Sequence, residues 1–106
     1  MYLPKQFEIT DRALLHDLMR QFSFATLVTA HEGRPFATHL PFILDSARGE
    51  QGTLVAHMAR ANEQWRMFTE EAEALVIFQG RHGYISPAWY EEHPSVPTWN
   101  YMVVHA

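Results

Sequence analysis

The segment from Gly83 to Ala106, GYISPAWYEEHPSVPTWNYMVVHA, carries an aromatic density that limits what this chain can fold into. Two tryptophans, three tyrosines and three prolines lie between Tyr84 and Tyr101. A pair of ordinary strands does not require so many large flat side chains. Tyr and Trp each bring a large apolar surface and one polar group. We therefore expect these rings to pack either against each other in a core or against a planar ligand.

Length and composition predict a single folded domain spanning residues 1–106. Of these 106 residues, 47% are hydrophobic and 19% are charged, which is typical of a globular protein. No apolar run reaches the ~18 residues of a membrane-spanning helix. The chain has no cysteine and no signal-like start, so we expect a cytoplasmic protein. A net charge of -4 with scattered Lys and Arg disfavours direct nucleic-acid binding.

The first 22 residues predict an extended arm followed by a helix. Residues 1–9 contain apolar side chains that need a larger surface to dock on. Thr10 is the predicted N-cap, with Asp11 in the first turn. Apolar residues then recur at the spacing of one helix face, at Leu14, Leu15, Leu18, Met19 and Phe22. No second helix accompanies it, so a helix-turn-helix is not predicted.

The middle of the chain has the alternation and turn residues of antiparallel strands. Pro41 cannot donate to a strand ladder, so its strand is predicted at an edge or a bulge. We predict a meander from a strand at residues 24–31, a turn at 32–35, a return strand through Pro41, a polar loop at 45–52 and a third strand at 53–58.

The second half predicts one more helix and further strands. Asn62 is the predicted N-cap of a helix after the third strand. A strand at residues 73–79, a turn at 80–83, a change of direction at Ser86-Pro87 and a last strand at 99–105 follow. The predicted fold class is therefore mainly β with two or three short helices, arranged as a small open barrel.

Four sequence blocks carry a family resemblance. The opening MYLPKQFEITDR, the central HMARANEQW and the later YISPAWY and VPTWNYMVVHA resemble the PaiB-type FMN-binding negative transcriptional regulators. Ala88 stands where that family usually has Ser. Family members are longer, so the resemblance is to their N-terminal part, and it implies an FMN-binding split β-barrel that is truncated relative to the family.

Arg60 and Asn62 are candidate phosphate ligands. An arginine in a turn directly before a capped helix can clamp phosphate oxygens beside the helix amides. The alternative is a simple cap at Asn62 and a solvated surface charge at Arg60. The resemblance supports the phosphate interpretation, because related flavin-binding split barrels hold the phosphate near such a strand-to-helix turn, and the capping alternative stays open.

The seven histidines are scattered and show no zinc-motif spacing, so no metal site is predicted. His39 and His57 are expected on strands with apolar neighbours. Each could donate a hydrogen bond to a flavin ring or ribityl chain, or be a partly buried histidine whose bonds are satisfied within the protein.

The remaining candidates for cofactor binding are Trp89, Trp99, Asn100 and Tyr101. They suit the lining of a flavin ring, which binds through stacking and a few polar contacts at its edge. Core or subunit-interface packing is the alternative for the tryptophans. The sequence shows no activated nucleophile and no acid and base pair, so no catalytic residue is predicted.

These observations leave several functions open. The resemblance implies an FMN-binding transcriptional regulator of the PaiB type, and the alternatives are a small flavin-dependent oxidoreductase or a haem-binding split-barrel relative. We expect a homodimer, because the chain's last strand would otherwise leave an apolar edge in water. If walls of the family's pocket lie beyond VHA, FMN binding by this shorter chain is expected to be weak or absent.

Overall fold

The computed structural model describes residues 1–91 and 96–106. The α-helix α1 covers Arg12–Gln21, with His16 and Met19 buried on its inner side. The predicted cap at Thr10 is wrong, since the Asp11 carboxylate accepts hydrogen bonds from the amides of Ala13 and Leu14, at 3.0 and 3.3 Å. Asp11 has the extended backbone of an N-cap, and the helix therefore begins after it.

A four-stranded antiparallel sheet contains most of the strands. It comprises β1 (Phe24–His31), β2 (Arg34–Pro41), β5 (Leu75–Ile85) and β6 (Thr98–His105), in the order β2-β1-β5-β6. The β1–β2 hairpin turns at Glu32 and Gly33, whose φ values of 52° and 76° suit a tight two-residue turn. The edge position predicted from Pro41 is confirmed, because β2 is an outer strand of the sheet.

A second sheet of two short strands follows the hairpin. It pairs β3 (Ile43–Asp45) with β4 (Thr53–Val55). The predicted third strand ends at Val55 instead of Met58, which places His57 after the strand and not on it. The meander prediction is therefore wrong for this strand, since β4 pairs with β3 and not with the main sheet.

Three short 3-10 helices lie in the described parts of the chain. They cover Lys5–Phe7, Glu63–Met67 and Pro87–Trp89. The predicted cap at Asn62 is confirmed, because its side chain accepts from the Gln64 amide, but the element that follows is a 3-10 helix of five residues. Ser86 caps the last of the three in the same way, at the predicted change of direction.

The predicted turn at residues 80–83 does not exist. Strand β5 continues through it to Ile85, with an irregular register against β6 between Gln79 and His82. Gly80 permits this, because a Cβ there would lie 3.2 Å from both the Cβ and the carbonyl oxygen of Met102. Gly80 therefore marks a bulge and a close approach of two strands, and not a reversal of the chain.

The core lies on one face of the main sheet, beneath α1 and the short β3–β4 sheet. Its buried apolar members are Met19, Ala25, Leu27, Leu40, Val76 and Phe78. The mainly β class is confirmed, and the described strands form two antiparallel sheets that do not close into a barrel. With dimensions of 54 × 32 × 22 Å, the chain is elongated, and its radius of gyration of 17.2 Å exceeds the ~13 Å of a compact chain this long.

The opposite face of the main sheet has little cover. Strand alternation and the register place on it a set of apolar and aromatic side chains, which we call the outer face. Phe24, Trp99 and Tyr101 on this face are 68%, 54% and 64% exposed. The outer face comprises Phe24, Val28, His39, Ile77, Tyr84, Trp99, Tyr101 and Val103.

Candidate functional site

The turn at residues 59–62, in the segment between β4 and β5, holds the predicted phosphate ligands. Asn62 is half-buried; its Oδ1 accepts from the Gln64 amide, and its Nδ2 donates to Thr38 Oγ1, both at 3.0 Å. The side chain of Asn62 therefore both caps the 3-10 helix and ties the turn to strand β2. The amide oxygen and one amide hydrogen of Asn62 are used within the protein, which supports the capping interpretation for this residue.

Arg60 lies two residues earlier in the same turn and is exposed. Its carbonyl oxygen accepts a hydrogen bond from Trp65 Nε1 at 2.9 Å, which fixes the backbone of the turn. The guanidinium of Arg60 forms no ion pair with any residue in the described ranges. An exposed guanidinium on a fixed backbone can receive an anion from solvent.

Trp65 and Gln64 are residues of this turn that sequence reasoning missed. The Trp65 ring is 47% exposed and carries the Arg66 guanidinium at 5.3 Å from its centre, within cation–π range. Gln64 is fully buried and donates from Nε2 to β1 and β2. In the sequence both residues belong to the HMARANEQW block of the family resemblance, but nothing in that block distinguished them from their neighbours.

A second group of predicted residues lies on β6. Trp99 Nε1 donates to His82 Nδ1 at 3.2 Å, and the two rings are stacked with their centres 5.6 Å apart. The Tyr84 ring lies 6.2 Å from Trp99. Beside them, Asn100 and Tyr101 contribute to an open cleft at the strand bulge, which Arg81, His82, Gly83 and Met102 also line.

The other three predicted residues are separate from both groups. His39 is exposed on the outer face, where it stacks on Phe24 with ring centres 6.5 Å apart and bonds Thr26 Oγ1 through Nδ1 at 3.1 Å. His57 is exposed in the segment after β4. Trp89 ends the third 3-10 helix and is 69% exposed.

The two main groups lie far apart within one chain. Gln64 bonds the carbonyl of Leu27, which pairs with Val76, while Trp99 pairs with Tyr84 farther along β5. At ~3.3 Å per residue along β5, roughly 20–25 Å separate the turn from the aromatic group. A single chain therefore does not bring Arg60 and Asn62 together with Trp99, Asn100 and Tyr101.

The part of the chain that the structure describes contains neither a group of metal ligands nor a membrane-spanning helix. No three of its His, Asp and Glu side chains are grouped so that they could hold a metal ion. None of its helices is long and apolar enough to cross a membrane.

These features define a small antiparallel β protein with an arginine-bearing turn and an exposed aromatic strand. A family model described as "Putative FMN-binding domain" matches residues 1–106. The chain belongs to this FMN-binding domain family, which confirms the resemblance found in the sequence.

Curated relatives extend this result. The chain is 42% identical over 105 residues to "Protease synthase and sporulation protein PAI 2" of Bacillus subtilis, covering 99% of this chain and 50% of that protein. It is 32% identical over 126 residues to an uncharacterized protein of Saccharomyces cerevisiae, covering 99% and 75%. The chain thus spans half the length of the Bacillus relative.

Proposed function

We propose that this chain is a cytoplasmic, FMN-binding regulatory protein of the PaiB type, folded as one split-barrel domain and completing its flavin site between two copies. One observation carries the proposal. The two groups of candidate ligands are complementary in chemistry but lie roughly 20–25 Å apart in one chain.

The residues present fit FMN. The cofactor needs a cation for its phosphate, flat side chains for its ring and polar groups for the ring edge. Arg60 supplies an exposed guanidinium on a fixed turn. Trp99 and Tyr101 supply exposed rings, and Asn100 lies between them on the same strand. When bound, FMN would supply reversible electron transfer, which suits a redox sensor as well as an enzyme.

A second copy would bring the groups together. The outer face of each chain is apolar and exposed, so packing two such faces removes aromatic surface from water. In a twofold dimer that packs these faces, β6 of one copy can lie along the β2 edge of the other, where Asn62 bonds Thr38 next to the Arg60 turn. His39 lies on the same face and would be enclosed with the cofactor, while His57 and Trp89 are candidates for its rim.

The proposal is tested by complementation. Arg60→Ala and Trp99→Ala each remove a different half of the site, and FMN binding is followed by quenching of flavin fluorescence. In an equimolar mixture, half of the dimers are mixed and each mixed dimer has one intact site, so about a quarter of the wild-type binding capacity returns. FMN is added by titration, so that the single variants and their mixture are compared at the same flavin concentrations.

The outcomes separate the alternatives. No recovery in the mixture, with wild-type binding intact, would place the site within one chain. Rapid reduction of the bound flavin by a nicotinamide cofactor would favour the oxidoreductase. Absorbance typical of haem after titration with haemin, with no response to FMN, would favour the haem-binding relative.

A further inference from the structure

Gln64 is a fully buried polar side chain that, within the described parts of the chain, forms hydrogen bonds through its amide nitrogen but not through its amide oxygen. Its Nε2 lies 3.1 Å from the Leu27 carbonyl oxygen, 3.1 Å from Thr29 Oγ1 and 3.2 Å from the Phe36 carbonyl oxygen. Its Oε1 is buried and has no hydrogen-bond partner among the described residues. The amide nitrogen thus bridges β1 and β2, while the amide oxygen loses its water without compensation.

The orientation of this amide is determined by its acceptors. Exchanging the nitrogen and oxygen would point Oε1 at the carbonyl oxygens of Leu27 and Phe36, which cannot donate. Packing alone does not account for Gln64, since a methionine of similar length would fill the space and leave no buried oxygen without a partner. The role of the side chain must lie in what its nitrogen holds in place.

What it holds is the turn that carries Arg60. Thr29 Oγ1, which lies next to Gln64 Nε2, also donates to Met67 Sδ at 3.3 Å, so β1 contacts the turn segment at two residues. The residue after Gln64 is Trp65, whose indole bonds the Arg60 carbonyl. A shift of Gln64 would therefore move Trp65, and with it the backbone of Arg60.

We propose that Gln64 is the positioning residue of the phosphate-binding turn, acting through Trp65 on Arg60. This inference rests on the proposed function for its ligand, but the positioning itself is a property of the chain without FMN. We therefore expect that replacing Gln64 changes the environment of the Trp65 indole in the ligand-free protein. We also expect Gln64 and Arg60 to be coupled in FMN affinity.

The experiment compares Gln64→Met with Gln21→Met, a matched change at the exposed last residue of α1. In the ¹⁵N-labelled ligand-free chain, the indole Nε1–H resonance of Trp65 is assigned with Trp65→Phe. Gln64→Met is expected to shift this resonance toward that of a solvated indole, and Gln21→Met to leave it in place. If Gln64→Met does not fold, Thr29→Val replaces it, because it removes the Thr29 contacts to both Gln64 and Met67.

FMN titration supplies the second readout. Gln64→Met is expected to weaken binding about tenfold, the ratio for one or two net hydrogen bonds, and Arg60→Ala to add little in that background. An unmoved Trp65 resonance in the folded variant overturns the proposal, as do fully additive effects of Gln64→Met and Arg60→Ala on FMN affinity. If wild-type protein binds no FMN but the resonance moves, the positioning role stands and the FMN assignment falls.

Discussion

Asn62 and Thr38 are joined side chain to side chain, with Asn62 Nδ2 donating to Thr38 Oγ1 at 3.0 Å across 24 positions of sequence. This bond fastens the turn before the 3-10 helix Glu63–Met67 to the outer strand β2. Because the other end of the Asn62 amide caps the same helix, one side chain determines both the start of the helix and its place on the sheet.

Asn62→Ala is therefore expected to lower the free energy of unfolding by about 1–2 kcal/mol, from the lost cap and the lost bond to Thr38. Asn62→Asp keeps the cap acceptor but removes the donor, so it should cost less. Urea denaturation of Asn62→Ala, Thr38→Val and the double variant measures the coupling. A double variant as unstable as the sum of the singles would show that the side-chain bond contributes nothing.

Gly80 and Gly83 offer a matched pair in β5. A Cβ at Gly80 would lie 3.2 Å from two atoms of Met102 and 3.4 Å from Phe22, whereas a Cβ at Gly83 meets no atom within 4 Å. Gly80→Ala is expected to destabilise the chain by about 1–3 kcal/mol through overpacking. Gly83→Ala should be neutral or slightly stabilising, because alanine restricts the unfolded chain. Equal midpoints in thermal unfolding of the two variants would contradict this reading of the bulge.

The sequence predicted elements whose signal is local. The strand at residues 24–31, the cap at Asn62, the change of direction at Ser86-Pro87 and the edge position of Pro41 follow from side chains acting on nearby backbone, and all four are observed. The bulge at Gly80 was predicted as a turn, because glycine permits either, and only the approach of Met102 decides between them.

The candidate site was predictable in part for a similar reason. The family resemblance identified the blocks, but not the distance between them, which depends on the register of β1, β5 and β6. Gln64 was missed because its importance comes from carbonyls on two strands that are far away in sequence. No local pattern indicates such a contact.

Arg60→Ala is expected to weaken FMN binding by on the order of 2 kcal/mol, the range for a charged hydrogen bond. The cause is the loss of a forked cation that can hold two phosphate oxygens. Arg48→Ala, at an exposed position in the loop between β3 and β4, is the control and should leave affinity unchanged. Riboflavin lacks the phosphate, so its affinity should be insensitive to Arg60→Ala. Equal losses for FMN and riboflavin would move the phosphate to another arginine.

The outer face is expected to form the contact between two copies, and two phenylalanines test this. Phe24 on the outer face and Phe7 in the N-terminal arm are both 68% exposed, so a change at either meets a similar degree of solvent contact. Phe24→Lys would place a charge in the dimer interface, where it has no described partner to pair with, and should shift the mass from light scattering toward the 12.3 kDa of one chain. Phe7→Lys should leave the mass of the dimer unchanged.

A wild-type mass of 12.3 kDa at moderate protein concentration would contradict the dimer itself. A dimer that survives Phe24→Lys would instead assign the contact to the free edge of β6, where backbone groups of the last strand in the sheet are open to a second chain.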